Sequence, residues 1–395
     1  MTAPIYLNAL GIACTLGSGA EPVRAAMAAA TGPSGGELTD RYTPGRMLHL
    51  GTMPQLGEPS DDMAPRVRSR NNAMIDHLLA QIRPAVDNAV SLSGPTRVAV
   101  VIGTSTSGIR EGGKAIQTLH DAGAWPVGFH YAQQELGSPA EYLAMRLGLS
   151  GPAYTISTAC SSGAKALASA ARLLRAGIAD AVIAGGADTL CPFTIGGFSA
   201  LEAVSAQRCN PFSRNRAGIN LGEGGALFLV SRTPGPVRLS GWGETSDAHH
   251  MSAPEPGGKG AAAAMAQALA RAGLSASDID YLNLHGTATA QNDAMESLAT
   301  EAVLGLEVPA SSTKPLTGHT LGAAGALEAG LLWLGLVDNP AGRLPPHWWD
   351  GERDPALPPL CLTGPADTLG RPTRHMMSNS FAFGGSNISL ILSAA

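Results

Sequence analysis

The chain has 395 residues, 44% hydrophobic and 14% charged, with a formal net charge of -5. That length exceeds what one ordinary core supports and points to two domains or an internally doubled one. The composition excludes a disordered or coiled-coil chain, and the acidic balance excludes a general nucleic-acid binder, which carries a basic excess.

The N-terminal stretch MTAPIYLNALGIACTLG lacks the basic region of a secretory signal, so a cytoplasmic protein is expected. Residues 97–104 (RVAVVIGT) form an apolar, β-branched run that predicts a strand. Residues 106–130, rich in Gly, Pro and polar side chains, read as a surface loop. A short strand from 153, a helix from about 161 to 176 and a strand at 181–186 (AVIAGG) follow. This alternation argues for parallel strands joined by crossover helices. Residues 246–260 read as a second loop, followed by a helix at 261–272, the turn LSASD and a strand at 279–284. The most apolar stretch, 321–336, is shorter than the ~18 residues a membrane span needs and contains Glu328. A buried core helix is expected there. Cysteines stand at 14, 160, 191, 209 and 361, an odd number without a CxxC pair. That pattern fits a reducing cytoplasm and speaks against a disulfide framework or a zinc site.

Two segments resemble one another. Residues 153–176 read as strand, Cys160, then a Gly/Ala-rich helix; residues 309–336 read the same way with His319 in place of Cys160 and Gly322 opposite Gly163. GINLGEGGALFLV (218–230) and SFAFGGSNISLIL (380–392) each run from a Gly-rich turn into an apolar strand. Two similar halves are inferred, 1–235 and 236–395, the first carrying Cys160 and the second His285 and His319, with matching helix starts facing one site.

Cys160, in SerThrAlaCysSerSerGly, precedes a small-residue helix whose positive end favours thiolate and whose free backbone N–H groups can bind an oxyanion. A lowered thiol pKa is expected, the alternative being a plain buried cysteine. His285 follows an apolar strand, and His319 lies at the matched helix start. Each is a candidate donor to a thioester carbonyl, because imidazole exists in either form near neutrality. Lys314 and Glu328 flank His319 as either a buried pair supporting the site or a solvated surface pair. The stretch 378–387 reads as a turn before the last strand, with Gly384 and Gly385 allowing close approach to ligand. Phe381 and Phe383 are either core or a movable wall over the site.

Taken together, ThrAlaCysSerSer around Cys160, HisGlyThrAlaThr at 285–289, LysProLeuThrGlyHisThrLeuGlyAlaAlaGly at 314–325 and PheGlyGlySerAsn at 383–387 resemble the β-ketoacyl-(acyl-carrier-protein) synthases, the elongating branch of the thiolase superfamily. The resemblance covers essentially the whole chain. It implies an α/β fold, a thiolase-like five-layer αβαβα sandwich of two pseudo-duplicated halves, usually dimeric. It implies Cys160 as nucleophile, His285 and His319 assisting decarboxylation and condensation, and Lys314 and Glu328 as electrostatic support. The backbone N–H groups of Cys160 and Phe383 would form the oxyanion hole, with Phe383 as gate and Phe381, Gly384, Gly385, Thr287 and Thr289 around the substrate. No cofactor is implied, since phosphopantetheine arrives on the carrier protein. Departures from the family pattern are Ser213 and Ile219 where it often has Asp and Phe, Asn210 where an Arg often helps to dock the carrier, and Ala382 in place of Gly. YLNALGI, FSRNRAGINLGEG and SNSFAFGG look most like the synthases of bacterial aryl polyene pathways.

An acidic acyl carrier protein needs a local basic patch. Arg66, Arg68 and Arg70 are the leading candidates, with Arg208, Arg214 and Arg216 as compensation for Asn210; the alternative for the first three is a solvated helix start. The partner is either a second copy or a chain-length-factor-like subunit. Two other readings stay open: a coenzyme A-dependent thiolase, which resembles chains with a second reactive cysteine near the C-terminus, and a non-catalytic chain-length partner, which lacks the nucleophile.

Overall fold

The computed structural model describes residues 3–32 and 36–395; the first two residues of the N-terminal stretch lie outside it. The strands are β1 (Tyr6–Cys14), β2 (Gly17–Ser18), β3 (Glu37–Thr39), β4 (Leu48–Leu50), β5 (Val98–Gly103), β6 (Ala153–Ile156), β7 (Ala181–Asp188), β8 (Gly224–Ser231), β9 (Val237–Ser246), β10 (Tyr281–Asn283), β11 (Ala310–Ser311), β12 (His375–Ala382) and β13 (Ser386–Ala394). β3 and β4 pair by themselves, and the large sheet runs β11-β10-β12-β13-β9-β1-β8-β7-β5-β6, with β2 on β1.

From its centre outward, this sheet repeats one topology. β1, β8 and β7 are antiparallel neighbours, after which β5 and β6 continue in parallel. β9, β13 and β12 are likewise antiparallel, after which β10 and β11 continue in parallel. The two repeats join at the centre, where Tyr6 and Leu7 of β1 pair with Arg238 and Val237 of β9. The parallel strands match the predicted alternation. The antiparallel centre was not expected: β8 and β13 enter through Gly-rich turns rather than helices, and hydrophobic runs alone do not give strand direction.

The helices are α1 (Ala20–Ala29), α2 (Arg70–Ser93), α3 (Ile109–Ala122), α4 (Ser138–Leu147), α5 (Ser162–Arg175), α6 (Pro192–Ala200), α7 (Lys259–Ala272), α8 (Ala290–Leu304), α9 (Lys314–Thr317) and α10 (Ala324–Leu336). α5 and α10 pack on each other and touch strands from both ends of the sheet, while α2 and α4 cover one outer face and α7 and α8 the other. The layers are therefore αβαβα. α10 is buried nearly all round, as its apolar sequence requires of a helix with no solvent face. The two central helices approach at small residues: a Cβ on Gly163 would lie 2.8 Å from the Ala326 Cβ and 3.0 Å from the Gly322 carbonyl oxygen. Among the described residues no helix is long and apolar enough to cross a membrane.

Two local expectations are corrected. Much of 106–130 is the helix α3, not loop. Its polar and glycine content hid one buried face, Gly112 and Ala115, and Gly123 caps its end in the left-handed conformation. Ser378–Ala382 belongs to β12, so only the tip of 378–387 is a turn.

Candidate active site

Cys160 is placed by a sharp reversal between β6 and α5. Ala159 holds a φ of 53°, left-handed for a residue with a Cβ, a conformation that needs local support. The support is the SerSer pair: Ser162 Oγ donates to the Ala159 carbonyl at 2.6 Å and accepts from Thr158 N–H at 2.8 Å, while Ser161 Oγ donates to the Thr158 carbonyl at 2.8 Å.

His319 is held by backbone. Its N–H donates to the Asn220 carbonyl at 2.7 Å, and its carbonyl accepts from Gly222 N–H at 2.9 Å. The GINLGEG motif thus serves as an anvil for the histidine turn. His319 Nε2 lies 3.0 Å from Cys160 Sγ. His285 sits beyond β10, its ring edge-on to that of His319 with centroids 5.4 Å apart. Cys160, His285 and His319 are all buried, and one ligand-type atom of each lies within 4.8 Å of the others.

Lys314 and Glu328 form a buried ion pair with Nζ–Oε1 at 2.6 Å, so the solvated alternative falls away. Lys314 Nζ also donates to the His285 carbonyl and lies 3.5 Å from His285 Nδ1. An ammonium on that side makes Nδ1 an acceptor and leaves the ring proton on Nε2.

Burial, reinforced by Lys314 and His319, holds the His285 ring well below its usual pKa; burial and Lys314 do the same to His319. Both rings are therefore neutral as pH falls through 6.5 and become charged only well below it. Decarboxylation that relies on neutral imidazole donors is expected to stay level from pH 7.5 to 6.0 in rate assays; a fall centred near pH 6.5 would contradict this assignment.

The expectation of a lowered thiol is corrected. Burial raises Cys160 from 9.0 to about 12, with Lys314 and the N–H groups of Phe383 and Cys160 pulling the other way. A helix end contributes about 0.3–1 kcal/mol, rarely 2, and a pKa unit is worth about 1.4 kcal/mol, so desolvation wins. The resting sulfur is a thiol facing a neutral imidazole 3.0 Å away, which is the arrangement for proton transfer during attack.

These residues line a cavity of about 490 Å³ that also takes in Phe381, Phe383, Thr287 and Thr289. Thr287 and Thr289 pair through their hydroxyls at 2.9 Å. Phe381 is buried against His285, with ring centroids 6.4 Å apart, and Phe383 is half-buried with its ring 5.9 Å from that of Phe198. Gly384 and Gly385 have φ of 86° and 73°, and a Cβ on Gly385 would come within 2.7 Å of the Asp247 Cβ. Among the described residues, Cys160 is the one cysteine in the cavity wall, which removes the second reactive thiol a thiolase reading needs.

Sequence reasoning missed Glu296. From α8 its two oxygens accept the N–H groups of His285 and Gly286, each at 2.7 Å, clamping the turn that carries the histidine. Burial pushes its carboxyl up to about 7 against those same hydrogen bonds. A glutamate on the buried face of the following helix, eleven residues on, is the signal that was available. Asp188 was missed too. It accepts from Thr104 and Thr106 hydroxyls, both at 2.6 Å, and from Ala323 N–H at 3.0 Å, tying β5 and β7 to the start of α10.

The docking patch is corrected at Arg70, which is 8% exposed and paired with Glu223 at 2.7 Å. It joins α2 to the segment before β8 and presents no charge to a partner. Arg70→Ala would leave the Glu223 carboxylate buried and unpaired, so a loss of about 3–5 kcal/mol is expected in chemical denaturation; a loss under about 1 kcal/mol would contradict this. Arg66 and Arg68 are at the surface, paired with Glu141 and Asp61. Arg214 pairs with Glu352 and Arg216 with Asp354, each at 2.6 Å. Arg208 lies near His49, whose ring it helps hold below its usual pKa after burial. Asn210 Oδ1 accepts from Asp350 N–H at 3.1 Å, and Ser213 Oγ donates to Asp350 Oδ1 at 2.9 Å. The two departures thus share one partner.

Comparison with known proteins agrees with this geometry. Residues 57–234 match the β-ketoacyl synthase N-terminal domain and residues 237–340 its C-terminal domain. A 3-oxoacyl-[acyl-carrier-protein] synthase 2 of Rhizobium meliloti is 36% identical over 313 residues, 74% of this chain and 73% of the relative. This chain belongs to the β-ketoacyl synthase family. The family's members named here are acyltransferases, and the synthase reading replaces the thiolase one. A Staphylococcus aureus synthase 2 is 30% identical over 84% of this chain and 86% of the relative. Among solved structures, the ketosynthase ApeO in complex with its chain length factor ApeC, from Xenorhabdus doucetiae, matches this β-ketoacyl synthase with a TM-score of 0.93 and 44% identity, covering 100% of this chain and 98% of that one. Its fold is that of the thiolase-type ketosynthases.

Proposed function

We propose that this β-ketoacyl synthase lengthens an acyl chain held as a thioester on Cys160, working on carrier-bound substrates as the active subunit of a dimer. One observation carries the reading: a buried thiol lies 3.0 Å from His319 Nε2, with His285 beside it and the Phe383 N–H within hydrogen-bond reach of the sulfur.

In the first half-reaction the thiol attacks an acyl-carrier thioester. His319 Nε2 takes the thiol proton and returns it to the departing carrier thiolate. The S–acyl bond to the carrier breaks as the S–acyl bond to Cys160 forms. In the second, malonyl-carrier enters and its C–CO₂⁻ bond breaks, leaving an enolate. The Nε2–H of His285 donates to the enolate oxygen. So does His319 once the acylated sulfur no longer needs its Nε2 lone pair and the neutral ring carries its single proton on Nε2 instead of Nδ1, each donor worth on the order of 3 kcal/mol in a dry site. The enolate carbon then attacks the acyl carbonyl, whose oxygen faces the N–H groups of Cys160 and Phe383. Collapse frees the Cys160 sulfur and leaves a β-ketoacyl-carrier. Lys314 and Glu328 hold the field and the His285 ring in place. No metal or organic cofactor takes part, since the phosphopantetheine arm belongs to the carrier.

The likeness to ApeO in its complex supports a chain-length-factor-like partner and an aryl polyene setting, with a homodimer as the competing state. Retention of Cys160, His285 and His319 supports the catalytic rather than the partner role. We read the repeated sheet topology as halves 1–235 and 236–395, and propose a cytoplasmic location from the five free cysteines, which suit a reducing compartment. The test is a single incubation with acyl-carrier and malonyl-carrier, followed by mass spectrometry of the carrier. The expected product is the carrier bearing the acyl group plus a two-carbon keto unit; unchanged carriers with every partner subunit supplied would overturn the proposal.

A further inference from the structure

Cysteine and two histidines within 4.8 Å form a ligand set of the kind that holds Zn²⁺, with a fourth position open to the cavity. The surroundings of those ligands run against that chemistry. A histidine that binds zinc through Nε2 carries its proton on Nδ1 and gives it to a carboxylate or carbonyl, which orients the ring and raises its basicity. His285 Nδ1 instead faces the Lys314 ammonium at 3.5 Å. His319 Nδ1 is buried with no hydrogen-bond partner at all. The Lys314 charge is anchored by Glu328 at 2.6 Å and by the His285 carbonyl, so it cannot swing aside to admit a second cation.

We propose that Lys314 keeps the Cys160–His285–His319 cluster free of zinc, in addition to supporting the reaction. A nucleophile beside two neutral imidazoles would otherwise be open to capture by Zn²⁺, which displaces the thiol proton to solvent and forms a Zn–S bond. Lys314 acts in two ways. Its positive charge repels the ion at close range in a buried site, and its N–H locks His285 in the tautomer whose Nε2 lone pair is absent. This inference rests on the geometry of the cluster and does not depend on which carrier or acyl group the enzyme uses.

The test is Zn²⁺ affinity by competition with a chromophoric chelator, on the full chain with any copurifying subunit. Lys314→Met is expected to bind one Zn²⁺ about 100-fold more tightly than the natural protein, the size of effect typical of groups behind the ligands. Adding Cys160→Ala to that variant should abolish the gain, and Co²⁺ in place of Zn²⁺ should give a thiolate-to-metal absorption band only while Cys160 is present. Lys314→Met/Glu328→Gln, which leaves no unpaired buried carboxylate, provides the same comparison if the single variant does not fold. Equal affinity in the natural protein and in a folded Lys314 variant would overturn the proposal, as would a gain that survives Cys160→Ala.

Discussion

Alanine at His285 or His319 is expected to slow decarboxylation of malonyl-carrier by about 100- to 1000-fold, the effect of removing one preorganised donor from a site where charge develops. Both rings are buried and neutral, so each offers a hydrogen bond at full strength without the cost of turning water around. The two variants are expected to differ in the other half-reaction. His319 faces the sulfur at 3.0 Å, whereas His285 has its Nδ1 toward Lys314. His319→Ala should therefore also slow acyl loading, and His285→Ala should leave loading largely intact. CO₂ release and intact-mass loading, measured on the same preparations, separate the two. A loss under about 10-fold in CO₂ release for both variants would remove the imidazoles from the mechanism.

Cys160→Ala is expected to stop acyl loading and condensation, by at least about 1000-fold, since among the described residues no other cysteine lines the cavity. Decarboxylation should persist, because the imidazoles and the Phe383 N–H stay where they are. The fold should persist as well: alanine fits where the sulfur was, and Ala159 keeps its Ser162 clamp. Loss of both half-reactions together with an unchanged melting curve would mean that the sulfur also serves the second step.

The chemistry was legible where it is local. The Ser pair around Cys160, the small residues at Gly163 and Gly322 and the motif at 314–325 declare a tight turn and a close helix approach in the chain itself. What was hidden depends on partners far away in sequence. Glu296 is an ordinary helix glutamate until the fold sets it under His285, and Arg70 looks like part of a basic run until Glu223, 153 residues on, takes its charge into the interior. The thiol pKa fails for the same reason. A helix start can be read from the sequence, but the burial that outweighs it comes with the fold, which sets His319 and the Phe383 backbone against the sulfur. α3 escaped notice because Gly112 and Gly113 weaken its propensity while packing supplies the stability.

The central claim is that the acyl chain rides on one sulfur. Digestion of the enzyme after brief incubation with an acyl-carrier, followed by tandem mass spectrometry, locates the adduct. The mass increase should map to Cys160 alone and be released by neutral hydroxylamine, as a thioester is. An adduct on Cys191, Cys209 or a serine, or none while β-ketoacyl-carrier still accumulates, would contradict the account.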